Sequence, residues 1–561
     1  MHVMNGQKME PRTWNRLRNE TAERLEKALP YIVDGKTVSA DNCVALFEAL
    51  ICPGDRVALE GNNQKQADFL AKCLCKVDCT KIHDIHMVQS VLSLDEHLDI
   101  FESGIASRLD FSFSGPLAGR LARLIDEERI EIGAIHTYLE LYARYFVDLT
   151  PRVALVAAEM ADREGNLYTG FSTEDTPIIL EATKFRGGIV VVQVNEIVDK
   201  LPRVDIPGDW VDFIVKSPTP FYIEPLFTRD PALISDAQVL KAMMAIRGIY
   251  AEYDVENLNH GIGFDTAAIE LLLPTYAASL GLKGKICTHF VLNPHPTLIP
   301  AIESGWVESV YCFGGELGME DYVAARSDVF FIGPDGTMRS NRALAQVAGH
   351  YASDMFVGGT LQIDPCGNSS TATATRIAGF GGAPNMGCDA KGRRHASGAW
   401  LRCGEEDGGQ SRAIGGIGRG RRLVVQIAET FREKMVPGFV NELDAVRLAN
   451  NAHLSLAPVM IYGDDLTHIV TEEGVAYLHK CASLEERSAA IRGIAGFTEV
   501  GLAADPKETE RLRKNDVIRT SADLGIDPSK ANRSLLAAKN MKELVKWSGG
   551  LYRPPARFRN W

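Results

Sequence analysis

Absent from the chain is any run approaching the ~18 consecutive apolar residues that a membrane-crossing helix needs, so no such helix is expected. The start, MHVMNGQKMEPRTWNRLRNE, has no apolar signal core, so a cytoplasmic protein is expected. Paired cysteine spacing is missing as well. The 11 cysteines are scattered, and the cluster Cys73, Cys75 and Cys79 has no His or second Cys pair at zinc-finger distance. That excludes a disulfide framework and leaves no metal site to expect. Basic residues are in deficit: 60 Lys and Arg stand against 73 Asp and Glu, a net charge of −13, which excludes a general nucleic-acid surface. An anionic ligand held locally is still allowed. No repeat of solenoid period is present.

What is there is an alternation. The runs RVALVAAEM (152–160), GIVVVQVNEIV (188–198) and VDFIVKSP (211–218) are continuously apolar, the mark of strands buried on both faces of a parallel sheet. Helical patterns such as GPLAGRLARLIDEER (115–129) separate such runs. After residue 236 the pattern recurs, with DAQVLKAMMAIRGIYAEY as a helix and KICTHFVL (285–292), SVYCFGG (309–315) and DVFFIG (328–333) as short buried strands. The segment 213–236, rich in proline and turn residues, reads as the linker. The fold class expected is therefore α/β, as two domains spanning residues 1–235 and 236–561.

Three glycine stretches stand out. NLNHGIGFDTAAIELLLP (257–274) places Gly261 and Gly263 at the start of a helical run, and RIAGFGGAPNMGCDAKGRR (376–394) holds Gly379, Gly381 and Gly382. Glycine lets backbone approach a ligand, and a loop opening a helix aims amide N–H groups at negative charge. Such loops suit an oxyanion or a phosphate. A dinucleotide fingerprint is not met, because position 266 is Thr where the third glycine of G-x-G-x-x-G belongs. The third stretch, GGIGRGRR (415–422), reads as a basic loop before the strand-like LVVQIAE.

The two loops, with DFSFSGPLAGRLARLIDEERIEIGAIHTYLELYARYF (110–146), VALVAAEMADREGNLYTG (153–170) and LTHIVTEEGVAYLHKCASLEERSAAI (466–491), resemble the CoA-transferase and acetyl-CoA hydrolase superfamily. Within it the chain most resembles the malonate decarboxylase alpha-subunit family, through FGGAPNMGCDAKGRRH (380–395) and WSGGLYRPPARFRNW (547–561). The resemblance implies two similar CoA-transferase-like α/β domains with the acyl thioester between them. It implies a transferase that exchanges acetyl for malonyl on the thiol of an acyl carrier protein, with malonate consumed and acetate released. It implies no permanently bound cofactor. By the same resemblance the thiol is expected to belong to a phosphoribosyl-dephospho-CoA group on the carrier, with CoA thioesters as surrogates. The implied partners are the carrier subunit and the decarboxylase subunits of a complex, with homo-oligomerisation left open.

By the same resemblance Gly261, Ile262 and Gly263 line one wall of the site, and Gly379, Phe380, Gly381 and Gly382 the other, while Phe264 packs on the pantetheine arm. Enzymes of the superfamily carry a nucleophilic glutamate shortly after the first loop. Here CTHFVLNPHPTLIPA (287–301) holds no carboxylate. Glu316, beyond the next strand, is the substitute to consider; direct attack by the incoming carboxylate is the reading preferred. Asn293 is the candidate oxyanion donor in that gap, which also holds His289 and, between two prolines, His295 as a turn residue, with His260 as a structural group. Arg376 is the expected malonate cation, and Lys391, Arg393 and Arg394 are expected in solvent or against an anionic carrier. Two other classes are weighed: a dinucleotide oxidoreductase, which lacks its fingerprint, and a non-catalytic scaffold, which has no use for two glycine loops. Within the transferases the alternatives are a citrate lyase alpha subunit and a stand-alone CoA-transferase.

Overall fold

The computed structural model describes residues 18–61, 65–333, 341–407, 418–559 and 561. The first three residues of the basic glycine stretch (415–417) and the first 17 residues of the chain lie outside them.

The long apolar runs become strands. Val153–Ala161 and Ile189–Ile197 pair in parallel at the centre of a first sheet, with Phe213–Lys216 beyond them on one side and Arg56–Leu59, Ile85–Val91, Ala106–Phe113 and Glu131–Ile135 on the other. Val153, Leu155, Val191 and Val192 are fully buried. Burial on both faces is what an uninterrupted Val/Ile run requires, each such side chain contributing ~1.5–3 kcal/mol. The helix expected over 115–129 begins as a tight turn at Gly115–Leu117 and continues as Ala118–Asp126.

A second sheet runs Ser309–Tyr311, His289–Val291, Asn257–His260, Met355–Gly359, Leu423–Ile427 and His468–Val470, all parallel, and ends in the antiparallel strands Val475–Tyr477 and Ile518–Arg519. THIVTEEGVAYL is therefore a hairpin closing this sheet. One expected continuous strand is absent: DVFFIG forms only isolated bridges, at Phe330, which pairs with Val310, and at Ile332. Phe330 is buried while Phe331 turns to solvent, so the segment lacks the two buried faces of an internal parallel strand. The helix over 236–253 is present, opened by a capping box between Ser235 and Gln238.

Residues 371–382 cross from the second half to pack on the first sheet. Ala372 and Ile377 belong to the apolar core of the first half, and Ser114 N–H donates to Ala378 O at 2.9 Å. The segment 217–235 is packed as well, with Phe221 in the first core and Ile223 bridged to Lys65. The C-terminal tail folds back on its own chain: Tyr552 is fully buried, Arg553 N–H donates to Gly318 O at 2.9 Å, and Arg557 pairs with Glu224 at 2.7 Å.

No helix among the described residues is long and apolar enough to cross a membrane. No group of three or more His, Cys, Asp or Glu side chains is placed among them to hold a metal ion.

Candidate active site

Parallel strands present their carboxyl ends to ligands, and four such ends converge on one cavity. Asn257–His260 delivers His260 and the loop Gly261–Ile262, and Met355–Gly359 delivers Gly358 and Gly359. Leu423–Ile427 delivers Ile427 and then Glu429, and Ala106–Phe113 of the first sheet delivers Phe113. The cavity holds about 430 Å³. Its opposite wall is the crossing segment, with Arg376, Gly379, Phe380, Gly381 and Gly382. Both glycine loops thus face the same space.

Tertiary partners change what the loops offer. Phe380 and Gly381 N–H both donate to Ser112 O, at 2.7 and 2.9 Å, so these amides fasten the second loop to the first sheet and do not face a substrate oxyanion. Gly261 N–H is likewise spent on Val357 O at 2.7 Å. The amides of Ile262 and Gly263 have no acceptor among the described residues, and Gly263 caps the helix Phe264–Leu272 without a side-chain bond. Of the two only Ile262 lines the cavity, so the donors left for an oxyanion are its amide and the first turn of that helix at Asp265, where unbonded N–H groups and the macrodipole add.

Several expected residues sit elsewhere. Asn293 is fully buried off the cavity wall and its amide donates to Gly315 O at 3.1 Å, which corrects its assignment as the oxyanion donor. Glu316 is also off the wall, accepting from Thr228 N–H and Oγ1 at 2.9 and 2.7 Å. Gly263 and Phe264 lie behind the wall; Phe264 packs against the core and under the Arg229 guanidinium, 5.7 Å from the ring centroid. Arg376 lines the cavity at an exposed position. Arg393 is buried against Asp354 at 2.7 Å and is not in solvent, whereas Lys391 and Arg394 are exposed.

His260 and His295 share one buried partner. Their Nδ1 atoms both lie 2.9 Å from Glu270 Oε1, with Tyr250 Oη 2.8 Å from His260 Nε2. Burial opposes ionisation of Glu270, but His295 and His260 together hold its carboxyl down at about 2. This network props the strand end beneath the first loop. His295 in turn stacks on Phe227, a cavity residue, at 5.4 Å.

The charged wall was not visible in the sequence. Arg229, within the expected linker 213–236, is half-buried on the cavity, with Nη1 held by Leu226 O and Thr228 O at 2.8 and 2.9 Å. Burial lowers its proton affinity. Asp265 and Glu429 are the cavity's carboxylates, both tied to the buried Lys241 Nζ, at 2.8 and 3.8 Å. Burial raises the Glu429 pKa. Tyr138 closes the wall beneath Gly381, and the buried Arg342 guanidinium stacks over its ring at 4.4 Å. Arg342 also reaches Glu174 and Asp175 of the first half.

A family model described as malonate decarboxylase, alpha subunit, transporter matches residues 13–561. The chain belongs to this family. It is 66% identical over 550 residues to the acetyl-S-ACP:malonate ACP transferase of Malonomonas rubra, covering 98% of this chain and 99% of that one. Among solved structures, a Pseudomonas malonate decarboxylase hetero-tetramer in complex with malonate superposes with a TM-score of 0.94 at 60% identity, over 98% of this chain and 100% of the other. The Acinetobacter baumannii alpha subunit gives 0.91 at 57%, over 97% and 99%. A Streptococcus mutans citrate lyase alpha subunit, at 0.57 and 16% identity over 88% and 86%, shares the fold. This member of the malonate decarboxylase alpha-subunit family is thus an α/β transferase.

Proposed function

We propose that the chain exchanges acyl groups on a carrier thiol, converting acetyl-S-ACP and malonate to malonyl-S-ACP and acetate, as one subunit of a decarboxylase complex. The observation that carries the reading is the single cavity shared by both glycine loops and by Arg229, with no carboxylate in 287–301. A malonate carboxylate oxygen attacks the acetyl thioester carbon; the tetrahedral oxyanion collapses, expelling the thiolate and leaving an acetyl–malonyl anhydride. The thiolate then attacks the malonyl carbonyl carbon, and acetate leaves. The amide of Ile262 and the helix turn that carries Asp265, both on the cavity, stabilise the oxyanions, each well-placed donor contributing ~3–4 kcal/mol. Arg229 holds the second malonate carboxylate by charge-assisted hydrogen bonds. Holding the thiolate beside the anhydride lets it outrun water. The thiol is that of a phosphoribosyl-dephospho-CoA group on the carrier, and CoA thioesters serve as surrogates.

Acetyl-CoA mixed with malonate, citrate or acetate, with products identified by mass, tests the exchange: malonyl-CoA is expected at ~10-fold or more the rate of any citryl product, in line with Arg229 matching a short diacid. Acetyl-CoA alone, followed by hydroxylamine and intact mass, is expected to leave the protein unmodified and active. An acyl adduct forming at a competent rate on Glu429 or Asp265, the two carboxylates of the cavity, would replace direct attack with a two-step route.

A further inference from the structure

Arg376 and Arg432 stand on two short hairpins beyond the strand ends, Ala372–Thr373 with Arg376–Ile377 and Phe431–Arg432 with Val436–Pro437. Both line the cavity. Among the described residues neither guanidinium closes a salt bridge, and the buried Arg432 Nε has no hydrogen-bond acceptor. A buried N–H without an acceptor is costly, more so when charged, and two like charges on one wall repel. The proton affinity of Arg432 is lowered by burial and then by Arg376. A ligand with several acceptor oxygens and negative charge relieves both costs, and phosphate is the group that two arginine forks match best.

Position decides which ligand group this is. A short diacid attacking at the first loop needs its cation near that loop, where the half-buried Arg229 lies over Phe264. Arg376 is exposed, at the rim. A carrier protein cannot enter a cavity of about 430 Å³, so its thiol arm must thread in from the rim, thiol first. The part of a pantetheine arm farthest from the thiol is its phosphate. We propose that Arg376 and Arg432 form a rim subsite for the phosphate of the pantetheine-type arm that delivers the acyl group. This rests on the exchange reading above.

The test compares acetyl-S-pantetheine with acetyl-S-phosphopantetheine as donors to malonate. In the natural protein the phosphorylated donor is expected to have a kcat/KM ~10–100-fold higher, the worth of one to two hydrogen bonds to a charged group. Arg376→Gln and Arg432→Gln together should shrink that ratio to ~3 or less, while Arg229→Met changes the malonate KM and leaves the donor ratio standing. A natural protein indifferent to the phosphate overturns the subsite. So does a ratio that survives both rim substitutions, or a rim variant whose only change is a raised malonate KM. If no donor yields malonyl thioester, the exchange reading falls by itself. Calorimetry then decides the subsite: phosphopantetheine binding ~10-fold or more tighter than pantetheine, and no longer so in Arg432→Gln, supports it, and equal binding overturns it.

Discussion

Gly379→Ala is expected to cut acyl exchange by ~100-fold or more while the protein still folds, because a displacement of about 1 Å in a positioning element costs that much. Gly379 sits at φ +72, a conformation that costs a side-chain-bearing residue ~1–2 kcal/mol. A Cβ there would stand 2.4 Å from Ser112 O, the carbonyl that accepts from Phe380 and Gly381 N–H. Relieving the overlap pulls the whole second wall off the first sheet. Gly381→Val acts at the same wall, at φ +57 and 3.3 Å from Tyr138 Oη. Gly263→Ala is the contrast. Its backbone is extended, with φ 168, and the nearest atom to an added Cβ is Thr266 Oγ1 at 3.9 Å, so a loss under ~10-fold is expected. Steady-state exchange from acetyl-CoA, with circular dichroism to verify folding, measures all three. A folded Gly379→Ala enzyme at the natural rate would reduce the second loop to a turn.

That contrast also shows where the sequence is legible and where it is not. Apolar runs such as 188–198 announce buried parallel strands because the signal is local and continuous. Glycines before a helix announce a backbone approach, and both loops do reach the cavity. Whether an amide faces a ligand or a neighbouring strand is not local. Phe380 N–H meets Ser112 O only once the segment after residue 370 has crossed to the other sheet. Asn293 occupies a suggestive place in the chain, yet its side chain turns to Gly315 O. Arg229, Glu429 and Arg432 come from a packed linker and from the turn after a strand, and nothing in LFTRDP or IAETFRE marks them. Asp265 is missed as well, although it stands one residue past the Gly261–Phe264 loop.

The two walls stay in register through a buried charge cluster, and its disruption carries the largest expected cost to stability. Arg342, from the second half, is fully buried. It donates to Glu174, to Asp175 at 3.1 Å and to Tyr142 Oη at 3.5 Å, while Tyr142 Oη donates to the other Asp175 oxygen at 2.5 Å. Arg342→Met leaves two buried carboxylates without their cation, and removing one partner of such a cluster costs ~3–5 kcal/mol. At ~2–4 °C per kcal/mol for a domain of this half's size, a fall of ~6–20 °C in the first thermal transition is expected at pH 8.

The pH dependence identifies the cause. Burial already raises Glu174 to about 7, above the ~4.3 of an unfolded glutamate. A carboxyl raised in the folded state contributes stability that is full below the unfolded pKa and lost as pH climbs through the folded one. Without Arg342 that folded value climbs further, so the variant loses most at pH 8 and recovers as Glu174 takes up its proton. The gap to the natural protein should therefore narrow steadily between pH 8 and pH 5.5. Arg342→Lys keeps the charge but neither the fork nor the stack on Tyr138, and should fall between the two. A gap of under ~2 °C at pH 8, or one that does not change with pH, would mean that apolar packing, and not this cluster, joins the walls of the site.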